Sequence, residues 1–111
     1  MRGIGIGVLV LLLGGCGPGT PVTFRNASDH PLEGVVLSGS GFEATLGRVA
    51  PGESVSATVH PEGESGLAVR FRVNGRDVAY APQDYLESTS YRVSATVNRD
   101  LSVDVTSAIG P

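Results

Sequence analysis

Apolar and polar residues alternate with a period of two along most of the chain after residue 21. The segments with this pattern are 22–26, 42–46, 54–59, 67–73, 91–97 and 101–105. Because alternate side chains of a strand point to opposite faces, each segment is predicted to be a half-buried β-strand. Residues 32–38 contain the apolar run Val35-Val36-Leu37, which is also compatible with a strand. No stretch after residue 21 keeps a helical period over ten residues.

Turn-forming residues separate these segments. Asn26 to Pro31 and Ser38 to Gly41 are rich in Asn, Asp, Ser, Gly and Pro. Pro51-Gly52 predicts a type II turn, since glycine accepts the positive φ needed at its third position. A polar loop follows from His60 to Gly66. The chain therefore changes direction every eight to twelve residues.

Asn74-Gly75 is the strongest hairpin signal in the sequence, because both central positions of its turn require positive φ. A two-residue loop sets the register of the flanking strands. The predicted pairs are Val73 with Arg76, Arg72 with Asp77, Phe71 with Val78, and Val69 with Tyr80. This register puts the apolar residues on one face and the Arg72–Asp77 pair on the other.

A second hairpin is predicted around a three-residue loop, Asn98-Arg99-Asp100. Its expected pairs are Val97 with Leu101, Ala95 with Val103, and Val93 with Val105. The intervening segment 81–88 is predicted to be a connection with room for one helical turn.

Seven to eight short strands indicate an all-β fold, and we expect a small antiparallel β-sandwich of Ig-like or transthyretin-like architecture. A small barrel is the alternative. If successive strands reverse direction, the loops at 26–31, 50–53 and 74–75 lie at one end of the domain. The loops at 38–41 and 60–66 then lie at the other end.

The first fifteen residues have a different pattern. Met1-Arg2 is followed by an apolar run from Ile4 to Leu13 and then by small residues. A positive start, a short apolar block and small residues are typical of an export signal. The apolar block is about half the ~20 residues that a membrane-spanning helix requires.

Leu13-Gly14-Gly15-Cys16 ends this signal on the only cysteine of the chain. The four residues resemble the lipobox of bacterial lipoproteins, which has an aliphatic residue, two small residues and cysteine. The resemblance implies that Cys16 receives a thioether-linked diacylglycerol and becomes the first residue after cleavage. Two or more acyl chains anchor a protein stably where one is marginal. An ordinary secretory signal with an incidental cysteine is the alternative.

These features predict three regions: a lipoprotein signal peptide at 1–15, a lipidated cysteine and short tether at 16–21, and a β-sandwich domain at 22–109. The chain from Cys16 onward, which lacks Arg2, contains seven arginines and eleven acidic residues, so its net charge is −4. An acidic balance without a basic cluster argues against nucleic acid as a partner. Membrane lipid, reached through acylated Cys16, and an envelope protein are the partners we expect.

His30 and His60 are the only imidazoles, and each precedes a proline in a predicted loop. They suggest a metal site, with Asp29, Glu62 and Glu64 as nearby carboxylates. Zinc normally takes four ligands, and the expected lipidation of Cys16 removes the one thiolate. Reversal of successive strands would also place the two histidines at opposite ends of the domain, ~20 Å or more apart. Exposed turn residues are therefore the favoured interpretation.

No arrangement of residues indicates catalysis. Gly39-Ser40-Gly41 lacks the strand–turn–helix context of a nucleophile elbow, and Glu62 and Glu64 are typical of solvated loop charges. Tyr80, Tyr91 and Asp84-Tyr85 form the only aromatic-polar concentration. Tyr80 and Tyr91 are expected to face inward, with a small recognition patch beside Arg70, Arg92 and Asp84 as the alternative.

The sequence thus predicts a lipid-anchored envelope lipoprotein with a non-enzymatic interaction or accessory domain and no cofactor. Its expected location is the periplasmic face of an outer membrane, since Gly17 is not the aspartate that resembles an inner-membrane retention signal. A metal or small-ligand carrier using His30 and His60 is the alternative function.

Overall fold

The computed structural model describes residues 19–62, 65–86 and 91–109, which form eight β-strands and no helix. The strands are β1 (Thr20–Asn26), β2 (Leu32–Gly39), β3 (Phe42–Val49), β4 (Ser54–Val59), β5 (Ser65–Val73), β6 (Arg76–Leu86), β7 (Tyr91–Val97) and β8 (Val103–Ile109). Over these residues, no helix is present that has the length and apolar character to cross a bilayer.

The strands form two four-stranded sheets. Sheet I has the order β4-β1-β7-β8, and sheet II has the order β3-β2-β5-β6. All neighbours pair antiparallel except β1 and β7, which are parallel. The predicted β-sandwich is confirmed, and the parallel pair is a feature that the sequence pattern did not predict.

The inward faces of the two sheets meet in one apolar core. Its largest fully buried side chains include Phe24 of sheet I and Leu32, Leu37 and Leu67 of sheet II. In β1, Val22, Phe24 and Asn26 are buried while Thr23 and Arg25 are exposed, as the two-residue period predicts.

The Asn74-Gly75 hairpin is confirmed in both turn and register. Asn74 and Gly75 have φ of 52° and 76°, and Phe71 pairs with Val78 as predicted. Phe71 is buried and its ring stacks on Tyr80 with centroids 6.5 Å apart.

The second hairpin exists, but its predicted register was wrong by two residues. Val97 pairs with Val103 rather than Leu101. The loop begins at Asn98 as expected but extends to Ser102 rather than Asp100, because the backbone amide of Asn98 donates to the Ser102 carbonyl (2.8 Å) and Leu101 adopts φ 70°. A shift of two residues keeps every side chain on its face, so alternation alone did not reveal the error.

The prediction of a connection at 81–88 is wrong as far as residue 86, because β6 continues as a strand to Leu86; residues 87 and 88 lie outside the described residues. Pro82 is tolerated in β6 because β6 is an edge strand. The pairing with β5 shifts register between Leu67 and Val69, opposite the segment that contains Pro82.

The domain begins earlier than the predicted residue 22. Thr20 pairs with Val59 and is fully buried. A side chain on Gly19 would collide with Thr58, Val59 and His60. Residues 20 and 21 therefore belong to β1 rather than to the tether.

Candidate functional site

The predicted lipidation site, Cys16, lies outside the described residues, and its modification stays a prediction. The described chain enters the domain at Gly19, beside His60. The loop after β2 is at the same end, since the Glu62 amide donates to the Ser40 carbonyl at 2.9 Å. We call this the entry end of the sandwich.

The loops at 26–31, 50–53 and 98–102 meet at the opposite end. The backbone amide of Asn26 donates to the Glu53 carbonyl (3.0 Å), and the backbone amide of Ala27 donates to the Val97 carbonyl (2.8 Å). The Gly52 amide donates to the Asn26 carbonyl, and Gly52 has φ 81° in the predicted Pro51-Gly52 turn. This is the far end of the sandwich, and it contains the 26–31 and 50–53 loops as the reversal of strand direction predicts.

A buried polar network holds the far end together. Asn26 is fully buried, and its Nδ2 donates to the carbonyls of His30 (2.8 Å) and Val49 (3.1 Å). Its Oδ1 accepts from the amide and the hydroxyl of Ser28. These four bonds satisfy the side-chain amide of Asn26 within the protein. The network therefore stabilises the fold and leaves no polar atom of Asn26 for a ligand.

The two histidines lie at opposite ends of β1, as predicted. The carbonyl of His30 is bonded to Asn26 at the far end, whereas the imidazole of His60 lies against Gly19 at the entry end. Seven residues of strand separate these points, which corresponds to ~20 Å. One metal ion cannot bind both side chains. Among residues 19–62, 65–86 and 91–109, no three His, Cys, Asp or Glu side chains are grouped to hold a metal.

The other carboxylates suggested by the sequence are also dispersed. Asp29 lies at the far end, 3.8 Å from Arg99, while Glu62 lies over Gly41 at the entry end. Glu64 is outside the described residues.

Tyr80 faces inward, as expected. Its hydroxyl donates to the Leu101 carbonyl at 2.5 Å and thereby links sheet II to the loop between β7 and β8. Arg70 lies on the outward face of β5, where it pairs with Glu43 at 3.3 Å. Tyr80 and Arg70 therefore do not form one recognition patch, and the side chains of Asp84, Tyr85 and Tyr91 lie outside the described set.

The 98–102 loop contains an anchored carboxylate that the sequence reasoning missed. Asp100 accepts hydrogen bonds from the hydroxyl (2.6 Å) and amide (3.0 Å) of Ser102. These two bonds lower the pKa of Asp100 because they favour the charged form. The spacing Asp-x-Ser was the available sequence signal, since such pairs form local side-chain turns.

The outward face of sheet II carries ion pairs. Arg48 pairs with Glu33 at 2.9 Å, and Arg72 pairs with Asp77 at 3.0 Å. The hydrogen bond and charge of Asp77 raise the pKa of Arg72. The exposed Arg72–Asp77 pair was predicted from the hairpin register.

A shallow depression of about 520 Å³ lies on this face. It is positioned by a bulge in β2, where Gly34, at φ 55°, and Val35 both lie opposite Phe71. Gly34 contributes no side chain, so the surface is open between Glu33, Arg70 and Arg72. These arginines already have carboxylate partners, so any ligand would have to compete with existing ion pairs.

The outward face of sheet I is different, because hydroxyl groups dominate it. One row crosses all four strands, with Thr23 paired to Ser56 on one side and to Ser94 on the other, and Ser94 paired to Thr106. All four are exposed. We call these four residues the hydroxyl row.

No protein-family model matches this chain, and no curated protein matches it. A solved structure, the NMR structure of a protein from Eubacterium rectale, is similar, with a TM-score of 0.58 at 15% sequence identity. The match covers 83% of this chain and 90% of that one. It supports the fold of the sandwich.

Proposed function

We propose that this protein is a lipid-anchored lipoprotein of the bacterial cell envelope whose β-sandwich is a non-enzymatic interaction or accessory module. The observation that carries the proposal is the sequence Leu13-Gly14-Gly15-Cys16, followed almost at once by the folded domain. Three residues separate Cys16 from the first residue of β1.

This spacing determines how such an anchor would act. Four residue steps of extended chain span ~13 Å, so acyl chains on Cys16 would hold the entry end close to the membrane surface. The strands of sheet I extend between the entry end and the far end, so the far end would point into the periplasm. We place the protein on the periplasmic side of an outer membrane.

Metabolic labelling with a palmitate analogue tests the anchor. We expect label in the wild-type chain and none in Cys16→Ser, because serine lacks the thiol that receives the lipid. A second variant, Cys16→Ser with Thr23→Cys, restores one exposed thiol at a position without the lipobox and should stay unlabelled. Equal labelling of the wild type and Cys16→Ser would contradict the proposal.

A further inference from the structure

The arginines on the outward faces of the two sheets differ in their ion pairing; Arg76, at the start of β6, pairs with the inward residue Val73 and is not on the outward face of sheet II. In sheet II, Arg70 and Arg72 each have a carboxylate partner. In sheet I, Arg25 and Arg92 point outward and have no carboxylate partner among the described residues. Two uncompensated cations on one face of an acidic protein indicate complementarity to an anion.

The two arginines flank the hydroxyl row from opposite sides. Arg25 lies two residues beyond Thr23 on β1, and Arg92 lies two residues before Ser94 on β7. Since Arg25 pairs with Thr96, four residues of strand and one strand spacing separate the two cations. Their Cα atoms are therefore ~14 Å apart.

The rest of this face contributes little negative charge. Asp104 is the one carboxylate that the described residues place on it, and Asp104 already accepts a hydrogen bond from Asn98 at 3.0 Å. Ser54, Thr58 and Thr96 add further hydroxyls around the row. The face therefore combines many neutral donors and acceptors with two separated positive charges.

This pattern restricts the ligand. A single small anion cannot bridge ~14 Å. Single-stranded nucleic acid would need aromatic stacking platforms and a basic groove, and the described outward positions of sheet I carry no aromatic side chain. An extended chain with hydroxyl and amide groups between separated carboxylates fits both the row and its flanking arginines.

We propose that the outward face of sheet I, centred on the hydroxyl row and flanked by Arg25 and Arg92, binds peptidoglycan, in which the glycan strand carries hydroxyl and amide groups and the stem peptides carry the carboxylates. The inference rests on the proposed envelope location for its choice of glycan. The strands of sheet I extend between the entry end and the far end, so this face would stand upright on the membrane and remain accessible to a glycan layer beside it.

Co-sedimentation of the full chain, purified in detergent, with insoluble peptidoglycan sacculi tests the inference. We expect the wild type to sediment, and Arg25→Ala/Arg92→Ala to bind at least about tenfold more weakly. The matched control is Arg70→Ala/Arg72→Ala, which removes the same two charges from sheet II and should bind like the wild type. Thr23→Val/Ser94→Ala, which removes the centre of the hydroxyl row, should also bind more weakly.

Two further measurements keep the result interpretable. Wild-type binding should weaken as the salt concentration is raised, because the contacts are between exposed charges. This measurement uses only the wild-type protein, so it does not depend on whether a variant folds. Chitin, a neutral glycan, should retain the protein much less than sacculi do. Three outcomes would overturn the inference. They are no binding of the wild type to sacculi, equal retention of the wild type by chitin and by sacculi, and an equal loss of sacculus binding in Arg25→Ala/Arg92→Ala and Arg70→Ala/Arg72→Ala. Cys16→Ser should still bind sacculi, so this outcome is independent of lipidation.

Discussion

Asn26 shows how one polar side chain can organise the far end of the sandwich. Its amide group makes four hydrogen bonds that join β1, the following loop and the end of β3. The two-residue period correctly placed Asn26 on the inward face, but its partners come from residues up to 23 positions away. Buried polar groups are costly unless they are paired, so this position tolerates little change.

We expect Asn26→Ala to lower the free energy of unfolding by about 2–4 kcal/mol, because it leaves the carbonyls of His30 and Val49 and the hydroxyl of Ser28 without this partner in a buried site. Urea denaturation measures the change. The control is Asn98→Ala, whose half-buried amide bonds to Ser102 and Asp104 and should cost about 0.5–1 kcal/mol. A similar loss in the free energy of unfolding for both variants would contradict the inference that the buried Asn26 network stabilises the fold more than the half-buried Asn98 bonds do.

The two hairpins show what a turn can specify at the scale of an element. Asn74-Gly75 permits only a two-residue loop of one type, and its register was therefore predictable. Around Asn98-Arg99-Asp100, a non-glycine residue, Leu101, takes the positive φ. The Asp100–Ser102 and Asn98–Ser102 bonds accompany that conformation. Leucine carries no turn signal, so the register error came from local side-chain chemistry.

We expect Phe71→Ala to cost about 3–5 kcal/mol, because the ring is buried against Tyr80 in the core. A domain of this size has about 5–10 kcal/mol in total, so the variant should be largely unfolded near physiological temperature. Arg72→Ala, the adjacent residue on the exposed face, should unfold at nearly the same urea concentration as the wild type. Equal destabilisation by the two substitutions would contradict the observed register.

At the scale of the whole molecule, sheet order decides which residues become neighbours. β1 and β7 are parallel neighbours although some seventy residues separate them in the chain. This pairing joins Thr23 to Ser94 and completes the hydroxyl row. It also brings the 98–102 loop to the far end, where the Tyr80 hydroxyl bridges the two sheets.

We expect Tyr80→Phe to destabilise the protein by about 1 kcal/mol, because the half-buried carbonyl of Leu101 loses its donor while the ring is retained. Thermal denaturation should detect the loss. Thr23→Val, which removes an exposed hydroxyl without changing side-chain shape, should stay within about 0.5 kcal/mol of the wild type. A Tyr80→Phe variant as stable as Thr23→Val would mean that the bridge contributes nothing measurable.

The sequence by itself determined the central part of most strands, the Asn74-Gly75 turn with its register, and the inward residues such as Phe24 and Phe71. These are local properties, because strand period and turn conformation depend on neighbours in the chain. The separation of His30 from His60 also followed, since reversal of successive strands was enough to place them. The start of β1 at Thr20 and the extension of β6 through Pro82 did not follow, because each depends on which strand lies alongside.

Only the tertiary structure decided the contrast between the two outward faces. Ser56, Thr23, Ser94 and Thr106 belong to four strands, and their common row exists only in the order β4-β1-β7-β8. The pairing of Arg70 with Glu43, and the absence of a carboxylate partner for Arg25 among the described residues, depend on the same choice of neighbours. Many strand orders can bury the same apolar faces, so the hydrophobic pattern determines what is inside and leaves the arrangement of the surface to long-range pairing.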